Sequence, residues 1–302
     1  MTFKVVHRTE YRYPTQVHSC YGEARLHPRE LPGQQCYATT LSVDPFPEEY
    51  RVRRDFFGNR VAHYSVLEPH TELVVTATSV VDVRGRPTVL PAVGGRPWHA
   101  VRDALLAATD PEGLEARQFT LPSPTAGTSA EAAAYVARSF PEGGELVEGL
   151  ADLAHRIRTD FDYRPGSTAV DSSVDDLLER GAGVCQDYAH LAITGLRALG
   201  LAARYVSGYL ETEPPPGAER LQGADVSHAW LAVYVPGAGW LDLDPTNDQF
   251  VDDRYVTVAW GRDYSDVPPL KGVIFTESTS HELTVSVDVT PVPDGDPALG
   301  VA

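Results

Sequence analysis

Gly181-Ala182-Gly183-Val184-Cys185-Gln186-Asp187-Tyr188-Ala189-His190-Leu191-Ala192-Ile193-Thr194-Gly195-Leu196-Arg197-Ala198-Leu199-Gly200 is the stretch on which the fold of this chain turns. Glycines that permit a tight entry precede residues at helical spacing, with Cys185, Ala189, Ala192, Leu196 and Leu199 on one stripe. The spacing predicts a helix over about 185–199 that closes at Gly200, a residue suited to the left-handed backbone that ends helices. Cys185 then stands in the first turn.

Beyond Gly200 the period changes to two. Strands are expected over about 203–210, 228–235 and 240–244, and Pro236-Gly237-Ala238-Gly239 turns the last two into a hairpin. The Pro-rich 211–217 segment is an expected exposed loop. Upstream, helices are expected over about 129–139 and 145–161, the second with Val147, Leu150, Leu153, Ala154, Ile157 and Phe161 at helical spacing. Residues 84–128 are rich in proline and glycine, hold one short helical segment near 98–108, and end in a domain boundary at Leu121-Pro122-Ser123-Pro124. Before them, alternation and β-branched residues predict strands near 3–6, 37–43, 59–66 and 72–83, separated by turns such as Pro32-Gly33 and Asp44-Pro45.

The expected fold class is therefore α+β. An antiparallel β-sandwich or curled sheet occupies 1–120, helices packed on an antiparallel sheet occupy 121–275, and a closing strand with a tail occupies 276–302. The strands after Tyr255, including 281–291, belong to one of the two sheets, and the pattern leaves open which.

With 302 residues, 42% of them hydrophobic, the chain can build a core without staples. Its three cysteines, Cys20, Cys36 and Cys185, form no C-x-x-C pair and are odd in number, which suits a reducing compartment. No signal peptide is expected at the N-terminus, and nowhere do eighteen or so apolar residues run together as a membrane span requires. A net charge of −17 opposes contact with nucleic acid phosphates or an anionic bilayer. The expectation is a soluble, cytoplasmic protein with neither nucleic acid nor membrane as partner; the oligomeric state is not legible.

A thiol attacks a carboxamide only as the thiolate, which a cysteine with an ordinary pKa of about 8.5 scarcely supplies at neutral pH. Two devices could stabilise it here: the helix N-terminus at Cys185, and a histidine close enough to form an ion pair. His228 begins one strand of the hairpin and Asp244 ends the other, so the turn puts both at one end of the ribbon. His228, Trp230, Ala232 and Tyr234 share one face, as do Trp240, Asp242 and Asp244, and the two faces need only coincide. Asp244 would then fix the imidazole tautomer while the other ring nitrogen takes the thiol proton and later protonates a leaving amine. The backbone N–H of Cys185 would be the first donor to the oxyanion, and the second is not identifiable.

Gly183-Val184-Cys185-Gln186-Asp187-Tyr188-Ala189-His190, then Ser227-His228-Ala229-Trp230, then Asp244-Pro245-Thr246 resemble the transglutaminase-like superfamily. Arg204-Tyr205-Val206-Ser207-Gly208-Tyr209 and Gly261-Arg262-Asp263-Tyr264-Ser265-Asp266-Val267-Pro268-Pro269 are similar to the bacterial members that carry a β-rich region before the core. The resemblance implies a papain-like core with catalytic Cys185, His228 and Asp244. It leaves the reaction open, because the superfamily contains cross-linkers, peptidases, peptide-glycan amidases and inactive members.

A cysteine peptidase or amidase acting through a Cys185 thioester on a protein or peptide is the leading expectation. A protein-glutamine amine acyltransferase and a catalytically silent interaction module are the alternatives. No cofactor and no metal are expected: His18, Cys20, His27 and Cys36 follow no zinc spacing, and the acidic run 171–176 lacks the calcium loop's central glycine. His190 faces away from Cys185 and is structural, Asp187 stabilises the helix start, and Asp242 is the lesser orienter. Trp230 and Trp240 flank the site as core packing.

Overall fold

A computed structural model describes residues 1–84, 90–168, 172–212, 227–278 and 280–293. Five strands come first, β1 (Thr2–Ala24), β2 (Gln34–Asp44), β3 (Glu49–Arg54), β4 (Arg60–Val66) and β5 (His70–Val83). Five helices follow, α1 (Leu90–Val93), α2 (Trp98–Ala107), α3 (Pro111–Arg117), α4 (Ala130–Ala137) and α5 (Leu146–Asp160). Then come β6 (Asp162–Tyr163), α6 (Val174–Arg180), β7 (Ala182–Gly183), α7 (Cys185–Ala198), β8 (Ala203–Leu210), β9 (Ser227–Val235), β10 (Gly239–Asp244), β11 (Gln249–Phe250), β12 (Tyr255–Gly261), β13 (Leu270–Thr276) and β14 (Glu282–Val292).

The first sheet is antiparallel and curled, ordered β2-β5-β1-β4-β3 with β13 and β14 also on β1. β1 far exceeds the expected 3–6 because the buried side of its alternation carries His7 and Thr9, which hide the period; His7 is satisfied by the Tyr209 hydroxyl at 3.0 Å and Thr9 at 3.1 Å. β3, unexpected, is exposed at every residue and reads Glu-Tyr-Arg-Val-Arg-Arg, a charged sheet edge whose alternation extends only over Tyr50 and Val52. β5 and β14 flank the first half of β1, β4 and β13 its second half, and the curl encloses residues such as Val17, Tyr64, Val66 and Val75. The late strands thus divide, β12 to the second sheet and β13 with β14 to the first.

The second sheet is ordered β11-β10-β9-β8-β12. One face, with Tyr205, Leu231, Val233 and Leu243, shares a cluster with Leu153 and Ile157 of α5, Leu191 and Ile193 of α7, and Phe3 and Val81 of the first sheet. The other face packs Val206, Trp230, Ala232 and Tyr255. Surrounded in this way, α7 is buried from Asp187 to Arg197 rather than along one stripe. Its Gly195 admits α4, since a Cβ there would lie 2.2 Å from Val136 Cγ2.

Three short helices were not expected: α1, α3, and α6, which begins inside the acidic run. In α6 the Ser173 hydroxyl accepts the Asp176 N–H at 3.1 Å while Asp176 accepts the Ser173 N–H at 2.9 Å, a capping box that seven residues of weak periodicity obscure. Of the Pro-rich 211–217 segment, Glu211 is buried and residues from 213 onward lie outside the described set, as does Asp171 of the acidic run. Among the described residues no helix is long and apolar enough to cross a membrane.

One edge of the second sheet is β12, and the first sheet's region closes it with side-chain amides. Gln34 donates to the Thr257 carbonyl at 2.8 Å and accepts the Thr257 N–H at 2.7 Å, and Asn59 makes the same pair with Trp260 at 2.9 and 3.0 Å. Both amides are buried, so they imitate a neighbouring strand where water cannot reach. Gln34→Leu, similar in size but unable to accept the Thr257 N–H, is expected to lower the unfolding free energy by about 1–3 kcal/mol in urea melts. An unchanged midpoint would contradict this account of the edge.

Candidate active site

Three elements meet at one end of the second sheet: the start of α7, the start of β9 and the end of β10. Gly181 ends α6 in the left-handed conformation at φ +66°, and a parallel two-residue pairing of β6 with β7 sets Tyr163 beside Gly183 and leads the chain into α7. Cys185 is the first residue of that helix and is 9% exposed. Asp187 turns its carboxylate back to accept the Val184 N–H at 2.8 Å and the Thr168 hydroxyl at 2.7 Å. Burial raises its pKa, and its place in the first turn is the stabilising one expected.

In the hairpin, Asp242 lies opposite Ala232 and Trp240 opposite Tyr234, so the two even-numbered faces coincide as the alternation required. His228 Nε2 meets Asp244 Oδ2 at 2.7 Å. Asp244 occupies Nε2, which leaves Nδ1 as the ring nitrogen available to the neighbouring Cys185 side chain. Burial alone would lower the pKa of this ring, but the hydrogen bonds and charges of Asp244 and Cys185 reverse that and push it up to about 10.

Asp244 is fully buried, and burial opposes its charge. Donors overcome that opposition. Oδ2 takes His228 Nε2, Asn247 Nδ2 and the Tyr255 hydroxyl, each at 2.7 Å, and Oδ1 takes the N–H of Thr246 at 2.9 Å and of Asn247 at 3.3 Å. The carboxyl is thereby held below its ordinary range. The Tyr255 hydroxyl in turn accepts from Gln249 Nε2 at 2.6 Å.

Asn247 and Tyr255 were not foreseen. Asp-Pro-Thr-Asn carries an Asx-turn signal that could have found the first, whereas Tyr255 comes from the far edge strand and leaves no local trace. Tyr163 was missed as well: it pairs with Gly183 just before the helix, is 45% exposed, and has its pKa pushed up to about 12 by burial and by the charges of Cys185 and Asp244.

The remaining candidates separate from this cluster. Asp242 accepts Trp230 Nε1 at 2.9 Å instead of serving His228. Trp230 is core, its ring crossing Gly208, where a Cβ would come within 2.6 Å of it. Trp240 packs against Tyr234 and beneath Arg204. His190 accepts the Tyr264 N–H at 3.2 Å, stacks on Tyr205 at 5.1 Å, and is held by burial to a pKa of about 4, so it is neutral at pH 7. Among the described residues no group of three or more His, Cys, Asp or Glu side chains is arranged to hold a metal.

The sequence and the fold are similar to those of known proteins. Residues 134–245 match the transglutaminase-like superfamily, and residues 3–82 match the bacterial transglutaminase-like N-terminal region. An uncharacterised protein of Mycobacterium tuberculosis is 48% identical over 300 residues, 97% of this chain and 94% of that one. A protein-glutamine gamma-glutamyltransferase of Pseudomonas aeruginosa is 37% identical over 102 residues, 33% of this chain but 15% of that protein. The crystal structure of a Cytophaga hutchinsonii protein, provisionally described as a cysteine protease, has the same fold at a TM-score of 0.71 and 22% identity, covering 97% of this chain and 92% of that one. The chain belongs to the transglutaminase-like superfamily and is, in kind, a cysteine-dependent enzyme with the bacterial N-terminal region ahead of its core.

Proposed function

We propose that the chain hydrolyses amide bonds of a protein or peptide through a Cys185 thioester, with His228 as base and acid and Asp244 orienting it. The observation that carries this is the 2.7 Å contact of His228 Nε2 with a buried, five-donor Asp244 beside a cysteine at a helix start. Asp244 holds Nε2–H, so Nδ1 serves the sulfur. The Cys185 thiolate attacks the carbonyl carbon, and the tetrahedral oxyanion forms within reach of the Cys185 N–H. Nδ1–H protonates the departing amine as the C–N bond breaks, leaving a thioester and a neutral imidazole. Water, giving its proton to Nδ1, then attacks the thioester, and the thiolate leaves with the acid released. No metal or cofactor enters these steps.

Amine transfer is the second reading, supported by the one-third of the chain that is similar to the Pseudomonas gamma-glutamyltransferase. A primary amine would replace water in the last step. Mass spectrometry after incubation with casein and a labelled primary amine reads both fates in wild type and Cys185→Ala. Cleavage or deamidation without label, lost in the mutant, is expected; Cys185-dependent label incorporation would make the chain a transferase, and identical mixtures from both proteins would contradict catalysis by Cys185.

The raised His228 pKa has a signed consequence for stability. An imidazolium whose pKa moves from 6.5 to about 10 on folding stabilises the fold fully below about pH 6.5 and loses that contribution as pH rises through about 10. The gap in melting temperature between wild type and His228→Gln is therefore expected to narrow from pH 7 to pH 10. A constant gap would mean that the ring carries no proton in the native state.

A further inference from the structure

On the face of the second sheet turned away from α7, a cavity of about 460 Å³ opens beside Arg204, Trp240, Trp260, Asp242, Glu112 and Glu115. Arg204 is 7% exposed, with its guanidinium carbon 4.0 Å from the Trp240 ring centre and 3.7 Å from that of Trp260. Its Nε is buried without a hydrogen-bond partner. Among the described residues it forms no hydrogen bond and no ion pair, so two indole faces alone hold it. A buried cation with its donor edge unmet is costly unless an acceptor arrives.

The acceptors nearby belong to the wall and do not close on it. Asp242 and Glu115 attract Arg204 from a distance, while Arg29, stacked on the Trp260 ring at 3.5 Å, repels it. Glu112 and Glu115 are exposed at the rim. A simple anion would meet three carboxylates and a simple cation would meet the Arg204 guanidinium, whereas a ligand bearing both charges is attracted at both ends. The indoles and Leu31 leave apolar wall for an aliphatic side chain, and the volume suits a small ligand.

From these contacts we infer that the cavity binds a small zwitterion with free amino and carboxyl groups, an amino acid or short peptide, its carboxylate on the Arg204 donor edge and its ammonium toward Asp242 and Glu115. A fixed guanidinium fork suits a carboxylate, and the two indoles hold it ready before the ligand enters. The site is separate from the thiol. Arg204 pairs opposite Ala232 and Gly208 opposite His228, four residues apart along β8, or roughly 13 Å. Asp242 nonetheless also accepts Trp230 Nε1, and the Trp230 ring lies 6.1 Å from that of His228.

Isothermal titration of full-length Cys185→Ala at pH 7 tests this without turnover, so its outcome does not depend on the proposed hydrolysis. The probes are leucine, glycyl-leucine, glycyl-leucine amide and N-acetyl-glycyl-leucine. Saturable one-site binding of leucine or glycyl-leucine is expected, at least tenfold tighter than either capped peptide, and whichever of the two binds identifies the source. Glu115→Gln, at an exposed position that leaves the fold intact, and Asp242→Asn should each weaken the free-termini ligand severalfold while leaving the N-acetylated peptide unaffected. Absence of saturable binding by either zwitterion, or equal affinity for the capped peptides, would overturn the assignment.

Discussion

A single buried carboxylate sets the terms for the rest of this site. Asp244 has no exposed surface, and an isolated charge there would neutralise rather than remain ionised. It stays charged because donors converge on it from four sources: the imidazole of His228 on β9, the peptide N–H groups and side chain of the turn after β10, and the hydroxyl of Tyr255 on β12. That charge in turn keeps a proton on His228, whose ring lies beside Cys185. The order of causes runs from backbone geometry to carboxylate, imidazole and sulfur.

Tyr255 links this chemistry to the N-terminal region. The strand that carries it is the edge of the second sheet, and its peptide groups are completed by Gln34 and Asn59. His7 reaches Tyr209 on the adjoining β8 at 3.0 Å, and Phe3 and Val81 share a core cluster with α5 and α7. The β-rich first region thereby braces the strand that carries Tyr255, a support of Asp244.

Local signals made the core legible. The helix from Cys185 and the hairpin around Gly237 follow from short-range periodicity and turn residues, and the hairpin brings His228 and Asp244 to one end, whereas joining Cys185 to them rests on the resemblance. What was not legible is non-local. The length of β1 was hidden by His7 and Thr9, polar residues whose partners become visible only once the chain is folded. Tyr255 comes from the far edge of the second sheet and Tyr163 from the short strand beside Gly183, and nothing local to Gln34 and Asn59 marks the sheet edge they complete. Burial of α7 on all sides likewise depends on two sheets and several helices closing around it.

The most direct test of the central claim is the rate of iodoacetamide alkylation of Cys185 at pH 5.5, in wild type and in Asp244→Asn. Cys36, partly exposed and raised in pKa chiefly by burial, is the internal standard. The account predicts that wild-type Cys185 reacts faster than Cys36 by about a hundredfold or more, as an ion-paired thiolate should, and that Asp244→Asn removes most of that advantage. Equal rates for the two cysteines, or a Cys185 rate untouched by the loss of the Asp244 charge, would contradict it.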